Sequence, residues 1–91
     1  MINNRNSSLI RLFSNTLESN LTSKLWKDFL DTVTKKDILY TFKELDIWKW
    51  HYDLLTKEDL VEGIIADAAQ YSLDDTKDSI KKFKIILGNK N

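Results

Sequence analysis

The side chains best suited to catalysis or recognition are gathered in one stretch, DIWKWHYDLL, at residues 46–55. It holds the only histidine, His51, together with two of the three tryptophans and one of the three tyrosines. Histidine titrates near neutral pH and acts as acid, base or metal ligand, whereas tryptophan and tyrosine dominate the energetics of protein interfaces. The stretch is therefore the first candidate for either a catalytic or a binding site.

Catalytic chemistry has little support around His51. A serine nucleophile would need a strained turn that the sequence lacks, and catalytic zinc usually needs more than one histidine. The chain has no cysteine, which excludes thiolate zinc sites and cysteine nucleophiles. Its two glycines, Gly63 and Gly88, cannot form a phosphate-binding loop. We expect no enzyme, no metal and no cofactor, and we interpret His51 as a partly exposed polar side chain.

The composition predicts one small helical domain. The 91 residues include no proline and two glycines, so the usual punctuation of β-sandwiches is missing. We expect a frayed tail at 1–6, a single domain at 7–88 and a C-terminal tail at 89–91. No signal peptide or membrane-spanning run is recognisable, and the expected location is the cytoplasm.

Five amphipathic segments follow one another through short gaps. Two of them open on similar phrases, TKKDIL at 34–39 and TKEDLV at 56–61, and TKDSI at 76–80 is a looser match. In the first two a threonine precedes an aspartate by three residues, which is typical of a helix N-terminus; an internal duplication is the alternative. Further candidate caps are Ser7 or Ser8, Thr22 or Ser23, and Ser72 or Asp74. The predicted fold is an all-α bundle of four main helices plus one or two short ones, mostly antiparallel.

The stretch at 46–55 must begin a new element. Continuing the preceding helix would place Asp46, Lys49 and Asp53 on its apolar face, at a large desolvation cost. We expect Asp46 to cap a short helix. A strand of alternating aromatics is the other interpretation, but no second alternating run exists to pair with it.

The aromatic residues exceed what a small core can bury. The expected core rings are Phe13, Trp26, Phe29, Phe42, Tyr71 and Phe83. Of the three further rings, we expect Trp48 and Tyr52 to anchor the short helix together with Leu55, and Trp50 to be exposed. The alternative is that Trp50 closes an open end of the core.

Charge is uneven along a chain of zero net charge. Residues 44–67 carry seven acids and two lysines, net −5, and residues 76–91 carry five lysines and one aspartate, net +4. On the last helix, Lys77, Lys81 and Lys84 share one side and form a candidate basic surface. The two regions either face each other, are solvated, or select a partner by complementarity.

These observations predict a small non-catalytic protein-binding module: an adaptor, an inhibitor or an immunity-type regulator. The expected partner-binding residues are Trp50, Trp48, Tyr52, His51, Lys49 and Asp53. One alternative is a homodimer that buries Ile85 and the spare aromatics between copies. Another is a nucleic-acid-binding regulator that uses the lysine-rich last helix, which we disfavour because that helix has no arginine.

Overall fold

A computed structural model describes residues 17–90, and every regular element in this part of the chain is a helix. Helix α1 covers 17–30 of the described residues. It is followed by α2 (Lys35–Glu44), a short 3-10 helix (Trp50–Leu54), α3 (Lys57–Ala68) and α4 (Leu73–Gly88). The four α-helices pack together as a small bundle, which confirms the predicted all-α fold.

The predicted helix starts at Thr34, Thr56 and Ser72 are confirmed. The hydroxyls of Thr34 and Thr56 accept from the backbone N–H three residues on, and the aspartates at those positions accept from the threonine N–H in return. Each reciprocal pair satisfies two donors that a helix end leaves without partners. Ser72 accepts from the Asp75 N–H in the same way at the start of α4.

The predicted helix boundary at Thr22 or Ser23 is wrong, because α1 continues through both residues. Thr22 is fully buried, and its hydroxyl donates to the Ser19 carbonyl at 2.9 Å. A threonine whose hydroxyl is satisfied by the preceding turn has no reason to end a helix. The predicted caps Ser7 and Ser8 lie outside the described residues.

The core is built around edge-on aromatic contacts to Phe83. Its ring centroid lies 5.3 Å from that of Trp26, 5.9 Å from that of Phe29 and 6.4 Å from that of Phe42, with interplanar angles of 78–85°. These are the geometries that aromatic pairs prefer. The buried apolar residues around them are Trp26, Leu30, Val33, Ile38, Phe42, Leu60, Ala68, Ile80 and Phe83.

The structure corrects one of the expected core rings. Tyr71 was expected to be buried, but its side chain is 54% exposed. The reason is that α3 ends at Ala68, so Tyr71 lies in the turn before α4 and not on the apolar face of α3. Phe13 lies outside the described residues.

Candidate functional site

The chain enters the 46–55 stretch through a sharp turn. Asp46 adopts a left-handed backbone conformation with φ 61°, which aspartate tolerates better than most residues. The Ile47 N–H then donates to the Phe42 carbonyl at 2.9 Å and closes the end of α2. The expectation that Asp46 caps the short helix is wrong, because the N-cap is Lys49, which makes no side-chain capping bond.

A short helix at this position was predicted, and it is of the 3-10 type. With three residues per turn, side chains three apart in sequence lie on the same side. Lys49, Tyr52 and Leu55 therefore share one side, and all three line a groove in the body of the protein. Trp50 and Asp53 share a second side.

The segment is anchored to the core as predicted. Trp48, Tyr52 and Leu55 are half-buried and pack against the core. The Tyr52 ring lies 5.4 Å from the Phe42 ring, centroid to centroid, and the Lys43 ammonium lies 5.0 Å above the Trp48 ring. The Lys35 ammonium also donates to the Asp53 carbonyl at 2.8 Å, which ties the 3-10 helix to the first turn of α2.

Two large apolar side chains of the 3-10 helix are exposed to solvent. Trp50 is 71% exposed and Leu54 is 75% exposed. The exposure predicted for Trp50 is confirmed, and the alternative in which Trp50 closes the core is excluded. Its role as a partner-binding residue stays a prediction.

His51 lies between two aromatic rings. Its ring centroid lies 5.7 Å from that of Trp50 and 4.8 Å from that of Tyr52, both edge-on. Within residues 17–90, no side-chain hydrogen bond or ion pair joins the imidazole to a carboxylate. In the same part of the chain, no three histidine, cysteine or acidic side chains converge as metal ligands do. His51 therefore contributes ring contacts, and the prediction that the chain is not an enzyme stays a prediction.

A feature that sequence reasoning missed is an open groove of about 860 Å³ between the 3-10 helix, α2, α3 and α4. Its walls are mainly apolar, and its rim carries exposed Leu45, Ile47 and Tyr71. Binding sites of this size and polarity are typical of ligand and peptide recognition. The lining residues are Trp26, Phe42, Leu45, Ile47, Lys49, Tyr52, Leu55, Asp59, Leu60, Gly63, Ile64, Asp67, Ala68, Tyr71, Thr76, Ser79, Lys82 and Phe83.

Two residues of the groove wall carry polar atoms without partners. Trp26 is 5% exposed and Thr76 is 2% exposed, and both line the groove. Neither the Trp26 Nε1–H nor the Thr76 hydroxyl forms a hydrogen bond within the described structure. Buried polar groups are nearly always satisfied in folded proteins. Both atoms are sealed from solvent, and so is the unpartnered Nε1–H of Trp48, a residue that does not line the groove.

The predicted basic surface on α4 is exposed. Lys77, Lys81 and Lys84 lie at the protein surface, and the Lys84 ammonium lies 5.7 Å from the Phe29 ring centroid. Between residues 17 and 90, no ion pair joins the α4 lysines to the acids at 44–67. A partner-selecting role for this surface stays a prediction.

The surroundings of Asp37 perturb its titration. The Lys90 ammonium donates to its carboxylate at 2.8 Å, and the Thr34 N–H donates at 3.0 Å. Both contacts favour the charged form, so the pKa of Asp37 lies below its usual value. The Lys90 contact stabilises the start of α2 and ties the end of the chain to it.

The chain matches no protein-family model, no curated protein sequence and no solved structure. No helix among the described residues combines the length and hydrophobicity needed to cross a membrane. The proposal for its function therefore depends on the geometry of the chain itself.

Proposed function

We propose that this chain is a small non-catalytic protein-binding module, of the adaptor, inhibitor or immunity type, and that Trp50 is its main contact residue. The observation that carries the proposal is the 71% exposure of Trp50 on a segment anchored from beneath. An indole held at the surface by a fixed backbone loses little conformational entropy when a partner covers it. This is the situation in which tryptophan contributes most to an interface.

The available energy is adequate for specific binding. A tryptophan side chain buries on the order of 250 Å² in a full contact, so covering the exposed part of Trp50 is worth roughly 4 kcal/mol before the costs of association. Leu54, on the same 3-10 helix, is 75% exposed and adds apolar surface to the segment.

Charge around Trp50 suggests the chemistry of the partner. Asp53 lies on the same side of the 3-10 helix as Trp50, and the 44–67 region is net acidic. The partner should therefore offer an apolar pocket for an indole beside a basic side chain. Nucleic acid is a poorer candidate because its phosphates would be repelled by these acids.

The test compares three proteins in pull-downs from the native host: wild type, Trp50→Ala and Ile85→Ala. Ile85 is a matched control because it is also exposed, at 55%, but lies on α4. We expect Trp50→Ala to keep its helical circular dichroism spectrum and to weaken capture about 30-fold, which corresponds to about 2 kcal/mol. Equal capture of the same partner by wild type and Trp50→Ala would contradict the proposal.

A homodimer remains the alternative function, since Ile85 and Trp50 are both exposed and could be covered by a second copy. Sedimentation at micromolar concentration separates the two. A dimer that Trp50→Ala or Ile85→Ala dissociates would favour self-association over a foreign partner.

A further inference from the structure

The groove is a separate surface from that of Trp50. Lys49, Tyr52 and Leu55 line it from one side of the 3-10 helix, whereas Trp50 and Leu54 do not line it. A partner bound at Trp50 would therefore leave the groove unexplained.

Helix α3 forms one wall of the groove with two parallel rows of side chains. The inner row, Leu60, Ile64 and Ala68, is apolar and partly or fully buried. The outer row, at positions 59, 63 and 67, is exposed and consists of Asp59, Gly63 and Asp67. Side chains four residues apart form ridges on a helix, and such ridges pack between the ridges of a neighbouring helix.

Gly63 makes a notch in the outer row. A Cβ atom built on Gly63 would have no neighbour within 4 Å, so the space above this residue is open. A glycine inside a helix costs stability relative to alanine, and nothing in the packing of α3 itself requires it here. A glycine at such a point allows the backbone of another helix to approach closely.

Two acids flank the notch, and one of them, Asp59, also caps α3 through a carboxylate oxygen that accepts from the Thr56 N–H. Asp59 and Asp67 lie one turn or slightly more on either side of Gly63, about 12 Å apart along the helix axis. Neither forms an ion pair in the described structure. Across the groove, α4 contributes Lys82.

The form of the rim favours a helix over a small molecule. Leu45, Ile47 and Tyr71 are exposed at the mouth of the groove. A compound contained in the cavity would leave these side chains in water, whereas a helix about 10 Å wide would cover them.

We infer that the groove binds an amphipathic α-helix of a partner protein. The partner helix carries an apolar stripe and two basic residues, seven or eight positions apart, that face Asp59 and Asp67. The inference rests on the proposed protein-binding function and assigns it a second surface and a kind of ligand.

The test begins with a phage-displayed library of helical peptides of about 14 residues, with leucine fixed at the apolar stripe and all other positions random. Selection on the wild-type protein should enrich Lys or Arg at two positions seven or eight apart. The dissociation constant of a selected, fluorescently labelled peptide is then measured by anisotropy. Failure to enrich any peptide, or enrichment of acidic residues at those positions, would overturn the inference.

Variants of Gly63 and Trp50 locate the binding surface. Gly63→Trp fills the notch and should weaken the selected peptide at least tenfold, whereas Gly63→Ala, the matched control, should weaken it much less. Circular dichroism verifies that both variants are folded. Asp59→Asn combined with Asp67→Asn should weaken binding and reduce its dependence on salt. Equal affinity for wild type and Gly63→Trp would overturn the assignment to the groove.

The same measurements separate this inference from the proposed function. Both surfaces are supported if Gly63→Trp loses peptide binding and only Trp50→Ala loses capture of the native partner. Peptide binding lost in Trp50→Ala but retained in Gly63→Trp would overturn the groove and keep the Trp50 surface. A wild-type dimer that Gly63→Trp converts to monomer would assign the groove to a second copy and overturn the inference.

Discussion

Replacing Gly63 with alanine should stabilise the protein. Gly63 lies in the middle of α3, a helix of 12 residues, and its φ is not positive, so alanine can adopt its backbone conformation. The added methyl group meets nothing within 4 Å. The change therefore removes the conformational cost of glycine without introducing a steric clash.

The expected gain is about 0.8–1.0 kcal/mol, the difference in helix propensity between the two residues. For a domain of this size, that raises the melting temperature by about 4–8 °C. Gly88 provides a matched control. It also has open space around its Cβ position, but it is the last residue of α4, where the helix frays. Gly88→Ala should therefore gain less than half as much.

Urea denaturation followed by circular dichroism at 222 nm measures both variants, and an unchanged slope would show that only stability has changed. A loss of stability in Gly63→Ala would show that the methyl group meets another part of the molecule. The space above Gly63 would then be closed in the free protein, and the helix-binding groove would be refuted together with this prediction.

Three further predictions follow from individual contacts. Trp26→Ala should lower the unfolding free energy by about 3–5 kcal/mol and Trp50→Ala by less than about 2 kcal/mol, because the first ring is buried and the second is exposed. Urea denaturation of the two variants measures these losses, and equal losses would refute the prediction. The lowered pKa of Asp37 gives stability that is present above its unfolded pKa near 3.8 and disappears as pH falls through the lower folded pKa. At neutral pH, Asp37→Asn should lower the unfolding free energy by less than about 1 kcal/mol, because solvent screens the Lys90 contact. This difference from wild type should shrink as acid is added, and a difference that grows would contradict the prediction. Thr76→Val should leave thermal stability unchanged or raise it by up to about 1 kcal/mol, because the hydroxyl has no partner; a larger loss would reveal one.

The helix starts could be predicted because their physical cause is local. A threonine with an aspartate three residues later carries both halves of the capping interaction within four residues, as Thr34 and Thr56 show. Thr22 has the same side chain but no such partner: the residue three positions on is Leu25. Its hydroxyl bonds to Ser19 instead, and the helix continues. The helix boundary at Thr22 was therefore predicted wrongly because the prediction used the residue type alone and ignored the missing aspartate three positions on.

In the 46–55 stretch, the anchoring of Trp48, Tyr52 and Leu55 and the exposure of Trp50 were predicted correctly, but the geometry was predicted only in part. The exposure of Trp50 follows from competition, since a small core already filled with rings cannot accept every aromatic residue. The left-handed turn at Asp46 and the 3-10 helix depend on how α2 must end before α3 can pack. Such a constraint belongs to the bundle as a whole, and the sequence around Asp46 does not carry it.

The groove shows most clearly what a sequence cannot supply. Its walls come from elements spread over residues 26–83, and no single segment has a sequence pattern that predicts a groove. Gly63 was visible as an exception, a helix-breaking residue in an otherwise good helix, but its significance depends on the open space that the structure places above it. Residues that contradict local preference are therefore informative when two conditions meet: the local cost is real, and the fold offers no internal compensation. Gly63 meets both conditions, and it lies in the wall of an open groove. The compensation that we propose for it is the close approach of a partner helix.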